Sequence, residues 1–363
     1  MIRGYQDAGI ISFAKHFPGF GRCPSDPHIQ LSVLDVDYDT IVNEELLPYR
    51  KAIEEENLMG IMSGHVLAES IDSLPATVSE KWMDILRNDL GFQGLIMTDS
   101  LAMQGILQYD NSQYLYENTL LAGHDIFLAN YNVPDSVCLD YLEEAVKEGR
   151  LPLELVEQKV RRVMTVKYKL EQAEKLPWNE EESKAVYERI GKNAPAYLRG
   201  DGGEFLPLDK NKKYLCIMFP VGQEMVSGEL GVTTEMDSVI NGLQETFPNM
   251  EIISIPLCPL GTDIHRVLSK SHEFDKVIFI AQTTFRAYMS MDRLSHQAQA
   301  IMKALRHKTE MLVIWGNPFV YRAVCNYIPQ VLFVYDSSCV GMHRFLSGEL
   351  YPKGKLPITI ITE

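Results

Sequence analysis

Positive charge is scarce in this sequence. The 363 residues include 34 Lys and Arg against 49 Asp and Glu, which gives a formal net charge of -15. Proteins that bind nucleic acid or anionic membranes use clustered Lys and Arg to neutralise phosphates. The acidic balance therefore argues against a nucleic-acid partner and against a membrane surface. The sequence also lacks an apolar run long enough to cross a bilayer.

Cysteine is rare and scattered. The six cysteines form neither a CxxC pair nor a zinc-ligand spacing: Cys23, Cys138, Cys216, Cys258, Cys325 and Cys339. We expect reduced and largely buried thiols rather than a disulfide framework. With no metal-ligand cluster and no dinucleotide fingerprint, we expect no metal and no cofactor. Residues 1–9 lack a secretory signal pattern, so the sequence as written predicts a cytoplasmic protein.

The first half of the chain alternates apolar runs with amphipathic stretches. Strands are predicted at residues 10–14, 58–62, 94–98 and 125–129, with helices between them. Each run is almost continuously apolar, as expected when both faces of a parallel sheet are covered. Each run also ends at polar residues. Because the carboxyl ends of parallel strands share one edge, these residues are expected to form one active-site face.

The second half alternates in the same way. Strands are predicted at residues 214–219, 251–255, 276–281, 311–315 and 331–335. This pattern predicts a doubly wound α/β/α sandwich. Between the halves, residues 174–213 are predicted to be a linker, with a polar break at 177–182, a helix near 184–190 and a glycine-rich loop at 200–203. The predicted domains are therefore 1–173 and 214–363, both of the α/β class.

The loop after the first predicted strand places a carboxylate and an imidazole two residues apart, at Asp26 and His28. At that spacing the carboxylate can accept a hydrogen bond from one ring nitrogen and direct the other toward a substrate. That arrangement suits an oriented acid/base. An Asp-x-His pair in a loop is nevertheless more often a solvated surface pair, so the residues alone leave the choice open.

Asp99 directly follows a buried apolar strand. A carboxylate there is costly unless it is hydrogen-bonded or used in chemistry. It could attack an anomeric carbon and form a glycosyl-enzyme. Its alternative role is to cap the next helix. The residues alone favour neither role.

Together these segments resemble glycoside hydrolase family 3, in its β-N-acetylhexosaminidase branch. The resemblance starts with Lys-His-Phe-Pro-Gly at 15–19 and Asp-Pro-His at 26–28, and it continues with Thr-Asp-Ser-Leu at 98–101. Further matching segments follow in order at 72–79, 90–94, 122–125, 160–163 and 348–358. The likeness therefore runs over nearly the whole chain.

The resemblance implies catalytic roles. Asp99 matches the nucleophile, His28 the general acid/base and Asp26 its orienting partner. A histidine in place of a second carboxylate removes one negative charge from the pocket, so phosphorolysis stays open beside hydrolysis. Two positions depart from the family pattern: Phe20 stands where many relatives have His, and Pro27 where Ser or Thr is usual.

The resemblance also implies substrate contacts. Lys15 and His16 match residues that hydrogen-bond sugar hydroxyls, whereas His65 either lines the pocket or packs beneath it. A carbohydrate is therefore the expected partner, and hydrolysis of terminal β-linked N-acetylglucosamine the expected reaction. The alternatives are a β-glucosidase of the same family and an inactive truncated fragment. Comparing glucosides with N-acetylglucosaminides separates the two enzymes.

The family's catalytic domain is a (β/α)8 TIM-type barrel, and its Lys-His motif belongs to the fifth strand. Residues 1–173 are therefore expected to be the C-terminal half of such a barrel, with strands 5–8. The resemblance implies that the first four strands are absent from this sequence. We expect the half-barrel to need a separately encoded N-terminal half or self-association, because an open sheet leaves exposed edges.

Overall fold

The computed structural model describes residues 1–172, 179–220, 233–283, 294–356 and 358–359. The chain forms two compact units, Met1–Trp178 and Asn179–Glu363. Each unit is built on its own parallel or mostly parallel sheet with helices, so the predicted α/β class is confirmed. Within the described ranges, no helix has both the length and the apolar character needed to cross a membrane.

The first unit alternates strands and helices along the chain. Its strands are β1 (Phe13–Phe17), β2 (Ser32–Val33), β3 (Gly60–Ser63), β4 (Val66–Leu67), β5 (Leu95–Ser100) and β6 (Ile126–Leu128). Its α-helices are α1 (Ile2–Asp7), α2 (Tyr38–Thr40), α3 (Leu47–Glu56), α4 (Glu80–Asp84), α5 (Gln104–Leu107), α6 (Tyr114–Ala122), α7 (Asp135–Lys147) and α8 (Leu153–Gln172). π-Helical turns cover Ile41–Glu45 and Ile85–Asp89, and a 3-10 turn covers Ala76–Val78.

Four strands of this unit make one parallel sheet, in the order β1-β3-β5-β6. The apolar runs predicted this arrangement, because a parallel sheet buries both faces of its inner strands. Ile61 and Ile96 on the two inner strands are completely buried, and Trp82 from α4 is buried in the same core. β1 and β6 form the two edges. β2 and β4 pair separately as a short parallel ribbon.

The first strand begins later than predicted. Residues 10–14 were expected, whereas the observed strand is Phe13–Phe17 and contains Lys15 and His16. Ile10 is exposed, and its N–H donates to the Tyr5 carbonyl at the end of α1. That N–H is therefore used by the helix end and is not available for strand pairing.

The second unit has a six-stranded sheet. Its strands are β7 (Ala196–Arg199), β8 (Tyr214–Phe219), β9 (Met250–Ser254), β10 (Lys276–Thr283), β11 (Thr309–Gly316) and β12 (Gln330–Val334). Its α-helices are α9 (Glu180–Asn193), α10 (Thr233–Thr246), α11 (Gly261–Lys270), α12 (His296–Ala304), α13 (Asp336–Cys339) and α14 (Met342–Leu346). 3-10 turns cover Ser271–Glu273 and Pro318–Ala323.

The strand order of this sheet is β7-β12-β11-β10-β8-β9, and only β7 is antiparallel to its neighbour. Alternate residues of β8 face opposite apolar layers: Leu215 and Ile217 lie in one, Cys216 and Met218 in the other. The sheet is thus covered on both faces, which explains why its inner strands are continuously apolar.

The segment predicted as a linker, residues 174–213, contains the predicted helix, as α9 (Glu180–Asn193), and also a strand that was not predicted, β7. Asn179 caps α9, since its side-chain oxygen accepts the Glu182 N–H at 3.0 Å. β7 pairs with β12, so residues 196–199 belong to the sheet of the second unit. Residues 173–178 lie outside the described ranges. The sequence did not reveal this strand because its partner lies more than a hundred residues away in the chain.

All six cysteines are free thiols in the structure. Three of them are buried, at Cys138, Cys216 and Cys339, and Cys258 is exposed. Burial raises the pKa of the Cys216 thiol to about 12, which makes it an inert part of the core.

Candidate active site

The polar ends of three neighbouring strands lie side by side. Phe17 of β1 is in register with Ser63 of β3, and Ser63 is in register with Thr98 of β5. Lys15 and His16 lie on β1, Gly64 and His65 follow β3, and Asp99 lies on β5. Three adjacent strands therefore bring these residues to one edge of the sheet. This agrees with the general placement of sites at the carboxyl ends of parallel strands.

Asp99 lies near the end of β5 and keeps 16% of its side chain exposed. Its Oδ1 accepts the Ser100 N–H at 2.8 Å, and its Oδ2 lies 3.3 Å from His16 Nε2. The helix-cap alternative does not hold, because α5 begins at Gln104 and its N-cap residue is Met103. The carboxylate of Asp99 is therefore held toward the strand ends, with an accessible edge.

His16 is the nearest titratable neighbour of Asp99. Burial is the main cause that lowers its pKa below the ordinary value, and the charges of Lys15 and His28 lower it further. The carboxylate of Asp99 acts in the opposite direction. A neutral His16 can donate its Nε2 proton to Asp99 or to a hydroxyl that replaces this contact. Lys15, one position earlier in β1, is exposed.

Asp26 and His28 form a hydrogen-bonded pair. His28 Nδ1 lies 2.7 Å from Asp26 Oδ1, and the same oxygen accepts the His28 backbone N–H at 2.9 Å. Because a carboxylate oxygen accepts, Nδ1 carries a proton, so proton exchange with a substrate would take place at Nε2. About one third of each side chain is exposed, so the pair is open to a ligand.

The loop that carries this pair is attached to the segment after β5. The Gly105 N–H donates to the Pro27 carbonyl at 2.9 Å, and Gln108 Nε2 donates to the Ile29 carbonyl at 3.1 Å. Ser32 Oγ also donates to the Ser25 carbonyl at 2.8 Å. Two hydrogen bonds thus attach the Asp26-His28 loop to Gly105 and Gln108, which follow Asp99 by six and nine positions in the chain.

His65 is completely buried, and both of its ring nitrogens are hydrogen-bonded. Nδ1 lies 2.7 Å from Thr77 Oγ1, and Nε2 lies 2.9 Å from the Ser100 carbonyl oxygen. The sequence left pocket lining and packing open for this residue. The structure places it beneath the site, where it has no ring nitrogen left for a sugar hydroxyl, so its assignment as a substrate contact is corrected.

Gly64 lets the first two strand ends approach closely. A Cβ at this position would lie 2.6 Å from the Phe20 ring and 3.0 Å from His16 Cβ. Phe20, which replaces a frequent His of the family, packs edge-on against the His16 ring, with centroids 5.5 Å apart. An aromatic ring therefore packs directly against His16.

Sequence reasoning missed Thr77 and Gly105 as parts of this site. Thr77 is twelve positions from His65 and Gly105 is 78 positions from Pro27, so no local spacing connects them. Only the fold brings each pair into contact. Among the residues that the structure describes, no three His, Cys, Asp or Glu side chains come together as metal ligands.

Residues 1–166 match the family model described as "Glycosyl hydrolase family 3 N terminal domain". A protein named Beta-hexosaminidase from Nitrosomonas eutropha is 39% identical over 137 residues, which is 38% of this chain and 39% of that protein. A protein of the same name from Actinobacillus pleuropneumoniae serotype 5b is 36% identical over 137 residues, with the same two shares. The matched region thus spans about two fifths of these curated relatives.

The fold is similar to that of solved structures. A glycoside hydrolase family 3 β-N-acetylglucosaminidase from Paenibacillus sp. str. FPU-7 superposes with a TM-score of 0.82 at 23% identity, covering all of this chain and 70% of that one. The β-glucoside phosphorylase BglX superposes with a TM-score of 0.78 at 20% identity, covering 99% of this chain and 68% of that one. At these identities the likeness concerns the fold alone.

Proposed function

We propose that residues 1–166, which match the glycosyl hydrolase family 3 model, carry the catalytic side chains of a retaining glycoside hydrolase that releases terminal β-linked N-acetylglucosamine. The observation that supports this most is the pairing of His28 with Asp26 at 2.7 Å on a loop attached to the segment after Asp99. The name of the two curated relatives, Beta-hexosaminidase, supports the choice of sugar.

The proposed reaction has two displacements. In the first, a carboxylate oxygen of Asp99 attacks the anomeric carbon while the glycosidic C–O bond breaks. His28, as the imidazolium, gives its Nε2 proton to the departing oxygen, so the aglycone leaves as an alcohol. The Asp26 carboxylate accepts a hydrogen bond from the Nδ1–H group throughout, and it stabilises the imidazolium before the proton is transferred.

In the second displacement a water molecule attacks the anomeric carbon. His28 is now neutral, and its Nε2 accepts a proton from that water, while the bond from the sugar to Asp99 breaks. The sugar leaves with the configuration it had in the substrate, and both residues return to their starting protonation states. Phosphate in place of water would give a glycosyl phosphate by the same path.

Lys15 and His16 are proposed to hydrogen-bond hydroxyls of the bound sugar. Lys15 is exposed at the strand end, and His16 lies 3.3 Å from Asp99 Oδ2. A sugar hydroxyl can take the place of this contact and place the anomeric carbon near the carboxylate. Lys15 and His16 both lie on β1 rather than on a long loop, which favours accurate positioning of the sugar.

The four-stranded sheet is proposed to be half of a (β/α)8 barrel. Its edge strands are β1 and β6, and α8 exposes an apolar row at Val160, Met164 and Tyr168, each more than half exposed. An N-terminal barrel half, encoded separately, or a second copy of the chain would cover these edges. The solved β-N-acetylglucosaminidase has 30% of its length outside the superposed region, since 70% is covered.

The test is hydrolysis of an aryl N-acetyl-β-glucosaminide by the chain co-expressed with the N-terminal barrel half of a relative. We expect Asp99→Ala and His28→Ala each to reduce kcat by at least about 10²-fold, since each removes a reacting group. Asp140→Ala and His307→Ala, at exposed positions far along the chain, are the matched controls. Unchanged turnover in the first two variants contradicts the assignment.

The same assay separates the alternatives. Faster cleavage of the aryl β-glucoside than of the N-acetylglucosaminide would indicate a β-glucosidase. Binding of N-acetylglucosamine, measured as thermal stabilisation, without turnover of either substrate would indicate an inactive fragment.

A further inference from the structure

We propose that His65 is a positioning residue: with Thr77 it holds the Ser100 carbonyl, and thereby orients the carboxylate of Asp99. This inference rests on the proposed role of Asp99 and adds a role for two residues that do not touch the sugar. It gives the buried histidine a function that packing alone does not require, because a leucine would fill an apolar space without two polar contacts.

The hydrogen bonds select one form of the His65 ring. The Ser100 carbonyl can only accept, so Nε2, at 2.9 Å, carries the proton. Nδ1 must then accept, and its partner at 2.7 Å is the Thr77 hydroxyl. Thr77 Oγ1 has a second acceptor, the Gly64 carbonyl, but that contact is longer, at 3.4 Å. The hydroxyl proton therefore points to the imidazole and fixes its tautomer.

The peptide that His65 holds joins Ser100 to Leu101, one peptide after the bond between Asp99 and Ser100. The carbonyl of Ser100 is bound by His65, and the N–H of the same peptide, on Leu101, donates to the Leu128 carbonyl of β6 at 2.9 Å. This peptide is thus fixed from both sides. The N–H of Ser100 in turn donates to Asp99 Oδ1 at 2.8 Å. Fixing Ser100 therefore fixes the direction of the carboxylate.

The surroundings keep His65 neutral. Burial is the main cause that lowers its pKa, and the nearby His16 and His28 act in the same direction. The Ser100 carbonyl and Asp99 oppose them. Since Thr77 and His65 are both completely buried, no water can replace either hydrogen bond without opening the core. A lost partner would leave a buried polar atom unsatisfied, and the chain would shift to relieve it.

The kinetic test compares Thr77→Val with Thr77→Ser. Valine keeps the volume but leaves Nδ1 without a donor, whereas serine keeps the hydroxyl. We expect Thr77→Val to reduce kcat about 10- to 100-fold with little change in KM, because a displacement of about 1 Å costs up to 10²-fold. Thr77→Ser should retain kcat within about threefold of the wild type. His65→Gln should retain a higher kcat than His65→Leu, since a glutamine amide can donate to the Ser100 carbonyl.

A second measurement does not depend on turnover. Nitrogen-15 NMR of the ring should show Nε2 protonated and Nδ1 unprotonated at neutral pH. Carbon-13 NMR of the Asp99 carboxyl should show a changed resonance in Thr77→Val and an unchanged one in Thr77→Ser. An Nδ1-protonated ring, or an Asp99 resonance that is the same in all three proteins, would overturn the proposal.

The two measurements also separate this proposal from the proposed function. If Asp99→Ala abolishes turnover while Thr77→Val keeps full kcat, the hydrolase stands and the positioning role is refuted. If no protein turns over substrate but the Asp99 resonance responds to Thr77→Val, the positioning contact stands and the proposed reaction is refuted.

Discussion

At the residue scale, a glycine holds the Asp26-His28 loop in place. A Cβ on Gly105 would lie 2.5 Å from the Pro27 carbonyl oxygen, the same oxygen that accepts the Gly105 N–H. Proline at position 27 has no N–H and keeps only this carbonyl for attachment. The loop that carries His28 can therefore approach this closely only because residue 105 is a glycine.

We therefore expect Gly105→Ala to displace the loop and reduce kcat about 10- to 100-fold, the effect of roughly 1 Å of misplacement. Gly4→Ala is the matched control, because a Cβ at Gly4 meets no atom within 4 Å. Steady-state kinetics on both variants provide the measurement. Equal kcat in the two variants would show that the loop does not need this contact.

A second residue-scale feature is the buried His124. Burial lowers its pKa from 6.5 to about 3. Its Nδ1–H donates to the Thr119 carbonyl at 3.1 Å, and its Nε2 accepts from Ser63 Oγ at 2.7 Å. Both contacts suit the neutral ring, and protonation would remove the acceptor that Ser63 uses.

This shift predicts acid sensitivity of the first unit. Between pH 6.5 and about 3 the unfolded chain binds a proton that the folded chain excludes. The neutral His124 ring therefore costs no stability above pH 6.5. As the pH drops from 6.5 toward 3, the free energy of unfolding of the first unit falls by about 1.4 kcal/mol per pH unit. Hydrogen exchange of peptides from β3 and α6 measures this slope.

His124→Gln should flatten the slope, since an amide does not titrate in this range. His307→Gln, at an exposed position of the second unit, should leave it unchanged. A slope that is the same in the wild type and in His124→Gln would contradict the assignment of the acid sensitivity to this residue.

At the element scale, Asp125 connects three segments of the first unit. Its side chain is fully buried, and it pairs with Arg87 of the Ile85–Asp89 turn at 2.8 Å and with Arg162 of α8. It also accepts the Ile96 N–H of β5 at 2.9 Å. One carboxylate therefore ties β5 and the start of β6 to α8 and to the turn after α4.

Removing its charge should be strongly destabilising. In Asp125→Asn the two guanidinium groups lose their counter-ion, and breaking a buried pair from one side costs about 3–5 kcal/mol. Asp135→Asn, an exposed acid at the start of α7, should change the free energy of unfolding by less than about 0.5 kcal/mol. Chemical denaturation of both full-length variants tests this. A loss below 1 kcal/mol in Asp125→Asn would argue against the role.

At the scale of the whole molecule, the first unit is an open sheet. β1 and β6 end it on either side, and α8 exposes Val160, Met164 and Tyr168. Sheet edges and exposed apolar rows are normally covered in stable proteins. The proposed barrel half or second copy would supply that cover and the side chains of the remaining strands.

We expect co-expression with an N-terminal barrel half to raise kcat/KM by about 10²-fold or more over the chain alone, the scale of one lost preorganised donor. Met164→Glu, which places a charge in the apolar row, should weaken this complex, whereas Leu260→Glu, exposed in the second unit, should not. Kinetics and co-purification measure both effects. Equal activity with and without the half would contradict the proposal.

The sequence by itself determined the inner strands and the candidate catalytic residues. Continuous apolar runs predicted the inner strands because buried parallel strands need them, and β8 was predicted with its observed bounds. The local pair Asp26-His28 could be predicted because only Pro27 separates its members. Asp99 could be named because it follows such a run.

Only the tertiary structure decided which residues support the strands and the candidate catalytic side chains. β1 begins three residues later than predicted, and the Ile10 N–H is used at the end of α1. β7 joins its sheet through a partner that is distant in the chain. The structure places His65 beneath the pocket rather than in its lining, since Thr77 and Ser100 form hydrogen bonds with both of its ring nitrogens. Such contacts join residues far apart in the chain, and no local spacing encodes them, because packing and hydrogen-bond satisfaction are settled only when the whole unit folds.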